Sequence, residues 1–134
     1  MPENKKPNGV GLKRIFKAAY CSYLGFTAAA KEEAAFRQEL LLVVLLLPFS
    51  FWLAGSAFHW AVLVSSLILV LIVELLNSAI EALTDRVSTE PHALSGRAKD
   101  MASAAVTLSL IVVVCIWGAA LYHKLNYYNT VDTF

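Results

Sequence analysis

The feature that most constrains this chain is a run of 34 residues, Leu40 to Val73, without a single Asp, Glu, Lys or Arg. A helix needs about 20 mostly apolar residues to cross a bilayer, so the run is too long for one span and a little short for two. Its middle holds Pro48, Gly55, Ser56 and His59, the residues of a break. The run therefore predicts two membrane helices joined by a tight turn near residues 53–58. Each borrows residues from its charged flank, giving spans at 34–53 and 58–80. A second uncharged stretch, Met101 to Tyr122, is 22 residues long and predicts a third span at 98–122. Trp52, Trp60, Trp117 and Tyr122 stand where interfacial aromatics belong.

Composition agrees. The chain is 58% hydrophobic and 16% charged, where soluble domains run about 45–50% and about 25%. With 134 residues there is room for one small domain. Disorder is excluded, two cysteines cannot make a disulfide scaffold, and a net charge of +1 argues against a free nucleic-acid binder. Cys21 and Cys115 fall at different depths, should not pair, and read as inert thiols. The fold class is all-α and integral to a membrane.

The first 30 residues follow another rule. Leu12, Ile15, Phe16, Ala19, Tyr23 and Phe26 recur at offsets of 3, 4, 7, 11 and 14, which is one apolar helical stripe. Lys13, Arg14 and Lys17 lie off it. A basic amphipathic helix over 9–30, lying in the membrane surface, is the expectation. Residues 1–8 read as a mobile tail. Lysine and arginine set the orientation. Lys5, Lys6, Lys13, Arg14, Lys17, Lys31 and Arg37 precede the first span, Arg86, Arg97 and Lys99 fall in or beside the 81–97 loop, and only Lys124 follows the third span. The N terminus and the 81–100 region are expected in the cytoplasm, and the turn near 55 and the 123–134 tail outside.

Ionisable residues within a span are costly, at least about 2.5–3.5 kcal/mol at the centre on insertion scales, and they point to function. From Glu74, the residues Asn77, Ser78, Glu81 and Asp85 follow at 3, 4, 7 and 11, on one helical face. Glu74 lies about 16 Å along the helix from Asp85 at about 1.5 Å per residue, well inside the hydrocarbon. Interhelical hydrogen bonding accounts for Asn77 and Ser78, but two carboxylates a repeat apart repel unless a cation or proton intervenes. Glu33, Arg37 and Glu39 where the chain enters the first span, and Lys99, Asp100 and Ser103 where it enters the third, fall at the same end of the bundle. For these, helical neutralisation of Glu33 by Arg37 and simple solvation of Lys99 and Asp100 are the plain readings. Together, the carboxylates and Lys99 have the parts for divalent-metal phosphoryl transfer. No Gly-rich phosphate loop is present. From the residues alone a phosphotransferase competes with a small oligomeric proton- or cation-coupled carrier, and with a non-catalytic assembly subunit.

The segments Glu74-Leu-Leu-Asn-Ser-Ala-Ile-Glu81-Ala-Leu-Thr-Asp85-Arg86 and Ser95-Gly-Arg-Ala-Lys99-Asp100-Met-Ala-Ser-Ala-Ala105 closely resemble the bacterial, prokaryotic-type diacylglycerol kinases. Glu33-Ala-Ala-Phe-Arg-Gln-Glu39 and Arg14-Ile-Phe-Lys-Ala-Ala match as well, so the resemblance covers about residues 10–123. It implies a homotrimeric bundle in the bacterial inner membrane, each chain with a surface helix and three spans. It implies Mg²⁺- and ATP-dependent phosphorylation of 1,2-diacylglycerol to phosphatidic acid, with undecaprenol kinase as the alternative of the same fold. Glu74 resembles the general base, Glu33 and Glu81 the metal-binding carboxylates. Arg14, Cys21, Glu90, His92, Lys99 and Asp100, with Glu33 and Glu81, fall where the family contacts nucleotide. Arg14, Ala18, Tyr23, Ala30, Ala35, Arg37, Glu39, Glu74, Ser103 and Trp117 fall where it contacts lipid. Asn77 and Asp85 are expected to support the carboxylates. The chain departs from the best-known members at Cys21 and Pro91 (each Tyr there), Tyr23 (Trp), Thr27 and Trp60 (each Arg); the carboxylates are unaltered.

Overall fold

The computed structural model describes residues 11–131. They form four helices: α1 Leu12–Glu32, α2 Ala34–Leu53, α3 Ala57–Val87 and α4 Ala93–Val131. The tail expected at 1–8, with Lys5 and Lys6, lies outside the described residues, as do residues 132–134. Helices α2, α3 and α4 are long and apolar enough to cross a membrane.

Helix α1 starts after Gly11, whose φ of 66° suits glycine, and Arg14 N–H bonds back to Gly11 O at 3.0 Å. Helix α2 runs through Pro48 and ends at Leu53. Proline removes one backbone donor, which membrane helices tolerate. The turn is three residues, 54–56. Ser56 caps α3 by accepting from His59 N–H at 3.1 Å.

Two expectations need correction. The loop predicted at 81–97 contracts to 88–92, because α3 continues to Val87 and α4 begins at Ala93. The outer tail predicted at 123–134 is helical as far as Val131. Charged residues mark where a helix leaves the bilayer, not where it ends. Glu81, Ala82, Leu83 and Arg86 are good helix formers. The break waits for Ser88 and Thr89, with Pro91 beyond them, and Ser88 adopts an extended backbone.

Helix α3 is the centre, packed chiefly against α4 and then α2. One apolar cluster joins Leu53, Leu63 and Ala120, and another joins Leu67, Val70 and Val113. Two indole–hydroxyl bonds tie the helices. Trp60 Nε1–H donates to Ser50 Oγ at 3.0 Å, and Trp117 Nε1–H donates to Ser66 Oγ at 3.2 Å. Trp117 thus turns inward and packs on both clusters instead of marking an interfacial belt. Substituting Ser66→Ala leaves that indole donor unpaired. It should lower stability by about 0.6–1.7 kcal/mol, the span of interhelical bonds in membrane proteins, read from an unfolding titration in mixed micelles.

Candidate active site at the α1–α2 break and α3

The site begins at the break between α1 and α2. Glu33 is the single extended residue there, with φ −103° and ψ 114°. Its N–H closes α1 on Ala29 O at 2.9 Å and its carbonyl accepts from Arg37 N–H at 3.3 Å, opening α2. The Glu33 side chain makes no capping bond, so its carboxylate remains available at a helix N-terminus, where the macrodipole favours negative charge. Arg37 does not neutralise Glu33 by a side-chain bond. Its Nη1 donates to Ala30 O and Lys31 O at 3.2 and 3.1 Å, satisfying the last carbonyls of α1. This role of Arg37 was not legible in the i, i+4 spacing, because a charge at that spacing also reaches the preceding helix across a break.

Glu74 is 2% exposed, although it sits in the apolar span of α3. It interacts electrostatically with Glu81 and Glu33, and Glu39 of α2 interacts with it. Four carboxylates therefore converge from the α1–α2 break, α2 and α3. Asn77 Nδ2–H donates to Glu81 Oε1 at 3.3 Å and lies within hydrogen-bonding reach of Glu74. Glu39 Oε2, Asn77 Oδ1 and Ser78 Oγ are buried without a hydrogen-bond partner. Buried polar atoms are almost always paired, so this cluster is chemically incomplete.

A groove of about 470 Å³ at the α3–α4 connection collects Asp85, Glu90, His92 and Lys99. Lys99 Nζ pairs with Asp85 Oδ1 at 2.5 Å and also feels the charge of Glu81, which links the groove to the carboxylates. Leu94 N–H donates to His92 Nδ1 at 3.2 Å and Glu90 N–H to Ser88 Oγ at 3.0 Å, fixing the short connection.

Other expected site residues stand apart in the single chain. Arg14, Ala18, Cys21 and Tyr23 are exposed on α1, with Arg14 about 28 Å along the helix from Glu33 at about 1.5 Å per residue. Ala30 is half-buried and Ala35 exposed beside the break, and Asp100 and Ser103 are exposed on α4. Trp117 packs with Ser66, about two turns of α3 before Glu74. Cys21 and Cys115 are both free.

Residues 20–121 match the family described as prokaryotic diacylglycerol kinase. The chain belongs to that family. It is 53% identical over 110 residues to the diacylglycerol kinase of Escherichia coli, covering 82% of this chain and 90% of the relative. The diacylglycerol kinase of Pseudomonas aeruginosa is 52% identical over 111 residues, covering 83% of this chain and 90% of the relative. That of Helicobacter pylori is 42% identical over 121 residues, 88% of this chain and 94% of the relative. The family match contains the whole carboxylate cluster and the α3–α4 groove, and stops short of the end of α4.

Proposed function

We propose that the chain is an ATP-dependent kinase that converts 1,2-diacylglycerol to phosphatidic acid. The observation that carries this reading is Glu74, a carboxylate 2% exposed within an apolar span and within electrostatic reach of Glu33, Glu39 and Glu81. Such a position suits a proton acceptor for an alcohol delivered from the bilayer. In the reaction the lipid hydroxyl gives its proton to Glu74 while its oxygen bonds the γ-phosphorus, and the bond from that phosphorus to ADP breaks. Asn77, bonded to Glu81 and close to Glu74, holds the two carboxylates in register.

Glu33 and Glu81 would hold Mg²⁺. Among the described residues no three His, Cys, Asp or Glu side chains are grouped to bind a metal by themselves. Two carboxylates from one chain are nonetheless a fitting donor set, since Mg²⁺ is usually held by one or two carboxylates, waters and substrate phosphates. The unpartnered Asn77 Oδ1 and Glu39 Oε2 leave further oxygens at the cluster. When bound, the ion neutralises charge developing on the phosphates. Lys99, Asp100, Glu90 and His92 would receive the nucleotide in the α3–α4 groove, with Arg14 and Cys21 brought in from α1.

The working unit in this reading is a homotrimer in the bacterial inner membrane. One chain leaves Leu12, Ile15, Phe16 and Tyr23 of α1 exposed beside Lys13, Arg14 and Lys17, the pattern of a helix lying in a membrane surface. The distance of Arg14 from the carboxylates in one chain supports sites completed by neighbouring copies. The lysine and arginine bias puts the N terminus and the 81–100 region in the cytoplasm, where ATP is.

Purified protein in detergent, given Mg-ATP and dioleoylglycerol, should make phosphatidic acid. Folded trimer that makes none would overturn the reading. Preferential use of undecaprenol in a competition between the two alcohols would replace the substrate and keep the kinase. Glu74-dependent ion flux into vesicles without ATP would favour a carrier instead.

A further inference from the structure

A cavity of about 430 Å³ lies between the last turns of α1 and the C-terminal half of α3. Its wall is mostly apolar, with Phe26, Ala29 and Leu75, and Glu33 and Ser78 also line it. Ser78 is 9% exposed and its Oγ has no hydrogen-bond partner. The other buried serines among the described residues behave differently. Ser50, Ser66 and Ser109 each donate to the carbonyl three residues back, at 2.6, 2.7 and 2.7 Å. That local bond is the ordinary solution for a hydroxyl inside an apolar helix. Ser78 does not take it, and it stands one helical turn from Glu74.

The chemistry of the cavity narrows what Ser78 can meet. Ser22 is committed to Ala18 O at 3.0 Å. The Glu32 and Glu33 carboxylates accept only when ionised, and the backbone donors are taken up by the helices. Among the described residues, Ser78 is therefore the uncommitted side-chain donor of this wall. A ligand with a long apolar body and a neutral carbonyl acceptor fits such a wall, and a diacyl lipid has both. We infer that Ser78 Oγ–H donates a hydrogen bond to the ester carbonyl of diacylglycerol next to the reacting hydroxyl, and so selects ester lipids over ethers. The inference rests on the lipid-kinase reading and deepens it by naming a substrate-binding residue. A site built to hydrogen-bond a substrate group discriminates against the analogue lacking that group.

The test compares dioleoylglycerol with the dialkyl diether of equal chain length, in wild type, Ser78→Ala, Ser78→Cys and Ser78→Thr. The wild type should prefer the diester. Ser78→Ala should lower kcat/KM for the diester by about tenfold, the weight of one neutral hydrogen bond, and leave the diether and the KM for Mg-ATP nearly unchanged. Ser78→Cys, with a weak donor of similar size, should lose most of the preference even where Ala impairs folding. Ser78→Thr keeps the hydroxyl and should restore the preference. Equal losses on both lipids, no loss on either, or a change confined to the KM for Mg-ATP would each overturn the inference. A wild type inactive on both lipids would overturn the diacylglycerol reading and this inference with it. An active wild type whose preference survives both Ser78→Ala and Ser78→Cys would overturn this inference alone.

Discussion

Replacing Glu74 by Gln should lower kcat for lipid phosphorylation by about 10²–10⁴-fold, the range a positioned general base supplies. The substitution keeps size and hydrogen bonding near Asn77 and removes only the ability to take a proton. The groups that interact with Glu74 are the carboxylates Glu81, Glu33 and Glu39. These belong to metal and substrate binding in the proposed scheme. Turnover should therefore fall while Mg-ATP affinity is retained, which steady-state kinetics and nucleotide-binding titrations measure separately. Gln is nearly isosteric with Glu, so folding and yield should not suffer. A Glu74→Gln enzyme with wild-type turnover would remove Glu74 from the chemistry.

The second large effect belongs to Glu81. Glu81→Gln should weaken Mg-ATP binding by at least about 10–100-fold, the cost seen when even a residue supporting a metal ligand is lost. Glu33→Gln should act in the same direction. The two acts should be less than additive if both carboxylates serve one ion, since residues acting as a unit do not sum. Raising the Mg²⁺ concentration should recover part of the Glu81→Gln loss and none of the Glu74→Gln loss. This contrast separates a metal ligand from a base more firmly than either rate alone. Equal responses of the two variants to Mg²⁺ would contradict the assignment of roles.

Arg37 and Trp117 show how two sequence patterns acquire different meanings in the fold. The i, i+4 spacing of Glu33 and Arg37 satisfies a rule for one continuous helix. The chain breaks at Glu33, and the guanidinium reaches back to the carbonyls of α1. Trp117 satisfies the compositional rule for an interfacial aromatic, yet its ring turns to Ser66 and the packed clusters. In both cases the deciding contact is with another helix or across a break, which periodicity along one helix does not encode.

What the sequence by itself determined is what each helix does with its own residues. The uncharged runs set the number of helices able to cross a membrane, and one such helix covers Ala34–Leu53. The spacing of Glu74, Asn77 and Glu81 put them on one face, and the Asn77–Glu81 hydrogen bond follows from it. Only the tertiary structure decided which groups from other segments meet that face. It brings Glu33 and Glu39 to Glu74, leaves Arg14 far from them in one chain, and places Ser78 against the cavity beneath α1. It also decided where α3 and α4 end, since helices stop at capping and breaking residues rather than at the bilayer boundary. The physical reason is range: helical periodicity follows from local backbone geometry, whereas the angle of α1 at Glu33 and the rotation of α3 against α2 and α4 follow from side-chain packing between distant segments.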